Sequence, residues 1–585
     1  MFLKELHIKG FRGIKELTLA FNPGVNILVG ENNSGKSAII DALRISLSYG
    51  KQWRDIGVSS SDFYINRLDP DVSAGEISFD LRFEITKEAE CGWFIEMLAI
   101  DPKTNDRDLQ IHFRYALEEK SDYSRVRWKV WGGENEGQII PNEVLERFYF
   151  IYLEPLRDAL KYLRPSKGNK TSQLFSNIVT DPDERDGLAN KVKDNLHSDK
   201  DWNDVIKKGE KSINEHLDQA SIRGKKEEVD IDFLPFEFRK LVESLRMQIP
   251  VYPKHVLNGD DRKQKYFDLA QNGLGSNNVI YTATVLGNLT KKFEVDSESY
   301  LSLLIEEPEA HLHPQMQNIL FNYLGSLNSK GFQVFVSSHS PTITAKANLE
   351  SVIVLQQQKQ DTLGLSIKNS GLTKENKEYL HKFLDVTKAQ LFFASGVILV
   401  EGISEALLLP VFANLVDKEG RMDLMKNGVE LVNINGVAFS HFANLFNSDD
   451  PNKRLLSKCS VLTDDDSKDG KESSRATAAR ELEKNNIKVF LSNRTFEYEL
   501  FITGKNESIL LEVYKSVRPR ASNNIKTDGT VEERAASFLD NVASNKAKSE
   551  LAHALAIKLA TDVTTQENFT VPKYISDAIN WVIAE

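Results

Sequence analysis

Eight residues near the start of the chain, Gly30-Glu31-Asn32-Asn33-Ser34-Gly35-Lys36-Ser37, have the types and spacing of a phosphate-binding loop, G-x-x-x-x-G-K-[ST]. Glycines let backbone N–H groups close around phosphate oxygens, and a helix starting at the end of the loop adds partial positive charge. Gly30, Asn32, Asn33, Ser34 and Gly35 would form the cradle. Lys36 would reach the outer phosphates, and Ser37 would hold Mg²⁺. A chance glycine-rich turn lacks the flanking pattern seen here. An apolar run, Val25–Val29, leads in, and a helical period (Ile39, Ile40, Leu43, Leu47) leads out.

Carboxylates make up the second set. The apolar stretch Leu301–Ile305 ends in Glu306-Glu307, so one acid can order a Mg²⁺ shell and the other can orient the attacking water. After another apolar run, Phe332–Val336, His339 is placed to sense a terminal phosphate. His311 and His313 invite a zinc reading, but they are two residues apart with no cysteine or third histidine near them. A structural or subunit-contact role for the turn between Pro308 and Pro314 is preferred.

The last third carries a third set. Val397–Val400 runs into Glu401-Gly402-Ile403-Ser404-Glu405. A helix starting after Gly402 would put Glu401 and Glu405 on one side. Cys459–Leu462 leads to Asp464-Asp465-Asp466, where Asp464 and Asp466 project the same way if the strand period continues. Glu497 and Glu499 follow. Acids collected at one sheet edge repel one another unless cations lie between them, and hard oxygen donors suit Mg²⁺ or Mn²⁺. Two such ions would activate water and stabilise the leaving oxygen of a phosphodiester. A solvated charge run over 464–470 is the bland alternative. An EF-hand loop fails, because counting from Asp465 puts Ala476 where a glutamate is required.

Elements of an α/β protein must position these groups. The 585 residues exceed one core. Composition is that of an ordinary globular chain, 41% apolar and 27% charged. Strands dominate about 75–150. A charged helical stretch over about 185–225 carries a thin apolar stripe and reads equally as a solvated helix pair or a dimerisation arm. The firmest domain edge lies near 390. Two cysteines, Cys91 and Cys459, are too few for a disulfide framework. No apolar run nears the roughly 20 residues of a membrane span, and Met1–Glu5 does not start a signal peptide, so a cytoplasmic location without membrane contact is expected. The net charge of −11 speaks only mildly against a DNA partner.

Together the motifs acquire a resemblance. The first part resembles ABC ATPase heads of the SMC and recombination-repair type. By that resemblance Arg12, in Phe11-Arg12-Gly13, contacts nucleotide, and Glu306 and Glu307 form Walker B. Gly273, in Asn272-Gly273-Leu274-Gly275-Ser276, belongs to a signature loop that departs from LSGGQ. E-G-x-x-E followed by D-x-D resembles the Toprim fold. The combination of IEEPEAHLHP, VILVEGISEALLLP and VLTDDDS resembles the OLD (overcoming lysogenisation defect) family of ATP-dependent nucleases over nearly the whole chain. The resemblance implies an ATPase head split into 1–165 and 246–389, a helical dimerisation insert at 166–245 and a Toprim nuclease domain at 390–585. It also implies ATP with one Mg²⁺, and two Mg²⁺ or Mn²⁺ ions on Glu401, Glu405, Asp464, Asp466 and Glu497. Lys548 would stabilise charge at the cut phosphate, with Lys546 as its rival. DNA would be the substrate, in a homodimer or higher homo-oligomer acting in antiphage defence, with a helicase-like protein or a retron reverse transcriptase and its nucleic acid as possible partners. The competing expectation is an ATP-dependent DNA-binding clamp whose acids hold a structural ion. A topoisomerase-like use of Tyr498 lacks any flanking DNA gate.

Overall fold

The computed structural model describes all residues except 50–55, 67–68, 70–71, 87–91, 93, 101–106, 121–122, 156–158, 221–226, 234–235, 258, 260, 296–298, 311, 360, 418, 437, 466–472, 485 and 585. Two units are distinguished. One comprises Met1–Phe150, Ser302–Glu309 and Pro314–Glu585; the other comprises Ile151–Leu301 and Ala310–His313.

The first unit opens with β1 (Phe2–Phe11), β2 (Ile14–Ala20) and β3 (Val25–Gly30). After the Lys36–Leu47 helix come β4 (Glu76–Glu84), β5 (Leu98–Ile100), β6 (Arg107–Lys120), β7 (Tyr123–Gly132) and β8 (Phe148–Leu153), whose last three residues are counted with the second unit. An antiparallel sheet in the order β2-β1-β4-β6-β5, with β7 also on β6, pairs Ile8 with Phe79 and Phe79 with Phe113. The period-2 alternation of Leu6, Ile8, Phe79, Leu81 and Phe113 buries one face.

The second unit holds the short pair β9 (Gln248–Pro250) and β10 (Tyr266–Asp268) together with helices at Lys170–Ile178, Pro182–Ser198, Lys200–Ala220 and Leu274–Val295. The Pro182–Ser198 helix starts cleanly because Asp181 caps it and Pro182 is preset for the first turn. The Lys200–Ala220 helix buries none of its residues and leaves Trp202, Val205 and Ile213 exposed.

The chain then forms β11 (Tyr300–Glu306), β12 (Phe332–Ser337), β13 (Val352–Gln358) and β14 (Asp361–Ser366). These make a mixed sheet in the order β14-β13-β3-β12-β11-β8. β3 runs parallel to both β12 and β13, so its carboxyl end opens into a crevice flanked by theirs. β3 and β11 are apolar and buried almost throughout. The one polar side chain inside β3, Asn26, is satisfied by the carbonyls of Asn22 and Gly24.

Beyond 395 lie β15 (Gly396–Val400), β16 (Val429–Asn433), β17 (Lys458–Asp464) and β18 (Ile487–Ser492) in a four-stranded, all-parallel sheet ordered β16-β15-β17-β18. Helices at Ile403–Val416, Phe496–Ile502, Lys548–Thr561 and Lys573–Ile583 join its core through Leu408, Phe412, Phe496, Leu500, Leu555 and Ile579. Each such buried large side chain stabilises the domain by about 1.5–3 kcal/mol. Both faces of a parallel sheet need cover, which is why β15 is apolar at every position. No helix among the described residues is long and apolar enough to cross a membrane.

Candidate functional site

The phosphate loop sits at the carboxyl end of β3. Gly30 has φ +146, and a Cβ there would come within 2.4 Å of the Leu355 carbonyl oxygen, so only glycine fits. Asn33 and Gly35 also take positive φ, and Gly35 caps the Lys36–Leu47 helix. Lys36 Nζ donates to the carbonyls of Gly30 (2.9 Å) and Glu31 (2.6 Å) and to Ser34 Oγ (3.2 Å). Its ammonium therefore stands at the mouth of the loop. Burial lowers its pKa to about 8, against the pull of Glu307, Glu309 and Glu31.

The first acid of the Glu306-Glu307 pair faces the same point. Glu306, the last residue of β11, lies 3.5 Å from the Ser37 hydroxyl. Burial raises it to about 7, reinforced by Asp41. Glu307 turns away from the strand at φ +43, and its N–H donates to the Ser337 carbonyl at 2.9 Å. His339 lies two residues beyond β12 and shares a cavity of about 440 Å³ with Gly30, Glu31 and Asn32. Arg12 reaches Asp41 (2.6 Å) and Asp62 (2.8 Å), which fixes its guanidinium beside the second turn of the loop helix. Gly273 directly precedes the Leu274–Val295 helix of the other unit and so presents a helix N-terminus.

Sequence reading missed Asp41, Asp62 and Glu309. Glu309 accepts from Ser338 Oγ (2.9 Å) and from the His339 N–H (2.7 Å), and so holds the loop that carries His339. Its place two residues after the acid pair was the available signal. Asp41 and Asp62 had none, because only folding brings them to Arg12.

The carboxylates of the last third gather at the carboxyl edge of the parallel sheet. Glu401 follows β15 directly, and Asp464 ends the neighbouring β17, as the two apolar runs suggested. Asp464 N–H donates to Glu401 Oε1 at 3.0 Å. The Ile403–Val416 helix begins after Gly402, as expected, and Glu405 is buried in its first turn. Burial raises Glu405 to about 7, and Glu497 and Glu401 push the same way. Asp464 is driven well above the usual carboxylate range by burial, with Glu401, Glu497 and Glu405 adding to it. Lys548 Nζ lies 2.8 Å from the buried Glu497 Oε2 and feels Asp464 and Glu405 as well. Lys546 is exposed.

β17 ends at Asp464, and Asp466, expected to project with it, lies outside the described residues. The Glu497–Glu499 pair splits: on the first turn of the Phe496–Ile502 helix, Glu497 turns to Lys548 while Glu499 accepts from Asn493. Among the described residues, no three acidic, His or Cys side chains close around one ion position. The carboxylates instead lean on local donors. Glu401 Oε1 takes Thr463 Oγ1, Asp464 N and an Arg475 guanidinium nitrogen, and Asp464 Oδ1 takes Ser492 Oγ at 2.9 Å. Thr463, Arg475 and Ser492 were not anticipated. Ser492 could have been found from the end of the apolar run before it.

The donor set fits a hard divalent cation. It is all carboxylate; burial first, and the neighbouring carboxylates after it, push Glu405 and Asp464 upward, which a cation between the oxygens relieves.

Comparison with known proteins finds two family matches along the chain. Residues 1–253 and 157–344 match the family described as AAA ATPase domain. Residues 392–466 match that described as overcoming lysogenization defect protein-like, TOPRIM domain. Endonuclease GajA of Bacillus cereus is 23% identical over 680 residues, spanning 98% of this chain and 94% of that protein. The OLD nuclease of Thermus scotoductus is 24% identical over 456 residues, 74% of this chain and 78% of that one. Among solved structures, the C-terminal region of the Burkholderia pseudomallei OLD protein is 22% identical, covers 33% of this chain and 98% of its own, and has a TM-score of 0.24.

Proposed function

The chain belongs to the overcoming-lysogenisation-defect family, an AAA ATPase domain followed by that family's Toprim domain, and on this premise we propose that it is an ATP-regulated, divalent-metal-dependent DNA endonuclease. The observation that carries the reading is the meeting of Glu401 and Asp464 at the ends of adjacent parallel strands, with Glu405, Glu497 and Lys548 in electrostatic reach.

Glu401, Glu405, Asp464 and Glu497, with Asp466 by resemblance, would hold Mg²⁺ or Mn²⁺. Such ions, when bound, supply an activated water and charge stabilisation at the leaving oxygen. Lys548, held by Glu497, offers a positive charge to a non-bridging phosphate oxygen. In the head, the backbone of Gly30–Gly35 and Lys36 would hold the ATP phosphates, Ser37 and Glu306 the nucleotide's Mg²⁺, and Arg12 the nucleotide itself. Glu307 would orient water and His339 would read the terminal phosphate.

The segments that act would be 1–165 and 246–389 for the ATPase, 166–245 for dimerisation and 390–585 for the nuclease. A homodimer lets Gly273 of one copy cap nucleotide in the other. Use against phage, with a helicase-like or reverse-transcriptase partner, rests on the family resemblance alone.

The test is plasmid nicking with Mn²⁺, with and without ATP, by the intact chain and by Glu401→Gln. Metal-dependent nicking that disappears in the variant supports the proposal. Equal nicking by the variant overturns it, and DNA binding without any nicking by the intact chain would favour a clamp.

A further inference from the structure

Glu401 carries a cation that the metal reading does not use. Arg475, on the Ser474–Arg480 helix, places a guanidinium nitrogen on Glu401 Oε1 and lies 3.4 Å from Thr463 Oγ1. The same oxygen already accepts from Thr463 Oγ1 and from the Asp464 N–H. A carboxylate oxygen has two lone pairs, so three donors saturate Oε1. An ion arriving at Glu401 must then either displace a donor or take Oε2 with a full positive charge held alongside.

The three donors are not equally able to leave. The Asp464 N–H is fixed by its strand, and Thr463 is buried in β17. The Arg475 side chain is 29% exposed, long, and borne on a helix of seven residues. Guanidinium stays protonated at every working pH, so its competition does not fade as pH rises. Lys548 plays a different part, since it pairs with Glu497 and leaves Glu401 alone.

We propose that Arg475 is the resident counter-ion of Glu401, a positioning residue that competes with the divalent cation and sets the metal concentration at which the Toprim site fills. This rests on the nuclease reading only in taking Glu401 as a metal ligand.

The test is Mn²⁺ titration by calorimetry on the full chain, without nucleotide or DNA, with the heat lost in Glu401→Gln assigned to this site. Arg475→Gln is expected to tighten Mn²⁺ binding about fivefold or more, because a like charge a few ångströms away is gone. Arg475→Lys, shorter and without the planar fork, is expected to fall between that variant and the natural chain. Unchanged or weaker binding in a folded Arg475→Gln overturns the proposal. If that variant does not fold, the lysine variant decides: affinity equal to or below that of the natural chain overturns it. Nicking by Glu401→Gln would sink the nuclease reading. A silent Glu401→Gln combined with unaltered affinity in Arg475→Gln would sink the counter-ion alone.

Discussion

The two sites are built by opposite means. The phosphate-cradling part of the proposed nucleotide site is one continuous loop, Gly30–Ser37, whose surface is mostly backbone and which carries three positive-φ residues. The acidic site is almost all side chain, and its members come from five places: the end of β15, the end of β17, and the starts of the Ile403–Val416, Phe496–Ile502 and Lys548–Thr561 helices. A backbone site tolerates change in the surrounding fold but not in its own glycines. A side-chain constellation tolerates change in its own loops but needs the strand order. Different substitutions should therefore silence the two sites independently.

The largest expected effects are complementary losses. Glu401→Ala should lower metal-dependent nicking by on the order of 10³-fold or more while nucleotide binding, read by a fluorescent ATP analogue, stays intact. Lys36→Ala should abolish nucleotide binding and leave the calorimetric Mn²⁺ signal of the Toprim site in place. Loss of nucleotide binding in Glu401→Ala, or loss of the calorimetric Mn²⁺ signal in Lys36→Ala, would break the comparison.

Gly30→Ala comes next. Its Cβ would strike the Leu355 carbonyl at φ +146, so a loss of about 1–3 kcal/mol in stability and a collapse of nucleotide affinity are expected, measured by denaturant unfolding and by the same analogue. No single backbone substitution at the Toprim acids should match this combination.

A smaller effect is expected with pH. Glu405 is raised to about 7 in the folded chain, chiefly by burial, from an ordinary value of 4.5. Its protonated form is the one the fold favours, so the contribution is full below about 4.5 and is lost as pH rises through about 7. Without divalent ions this amounts to about 3 kcal/mol at most. The melting temperature of the metal-free chain should fall across that window, Mn²⁺ should reverse the fall, and Glu405→Gln should flatten it. A flat profile in the natural chain would show that Glu405 is better solvated than its place implies.

The smallest effect concerns the bond between the sites. Ser395, just before β15, donates to Glu31 of the phosphate loop at 2.9 Å. This contact is exposed, so Ser395→Ala should cost about 1 kcal/mol or less in unfolding free energy.

Legibility follows the same division. The loop, the apolar runs into Glu306, Glu401 and Asp464, and the helix after Gly402 were readable because strand and helix periods are local. Glu497 was visible as an acid but not as the partner of Lys548, since 51 residues separate them. Arg475 had no signal at all, standing after a run of Asp, Lys and Ser that reads as solvated loop.

By itself the sequence determined the phosphate loop, the parallel apolar strands and the family, because these depend on spacing within a few residues of the chain. Only the tertiary structure decided which acids share an edge, that Lys548 rather than Lys546 faces them, and that Arg475 rests on Glu401. Those pairings depend on strand order and helix placement, where burial of apolar faces, rather than any local code, brings distant charges together.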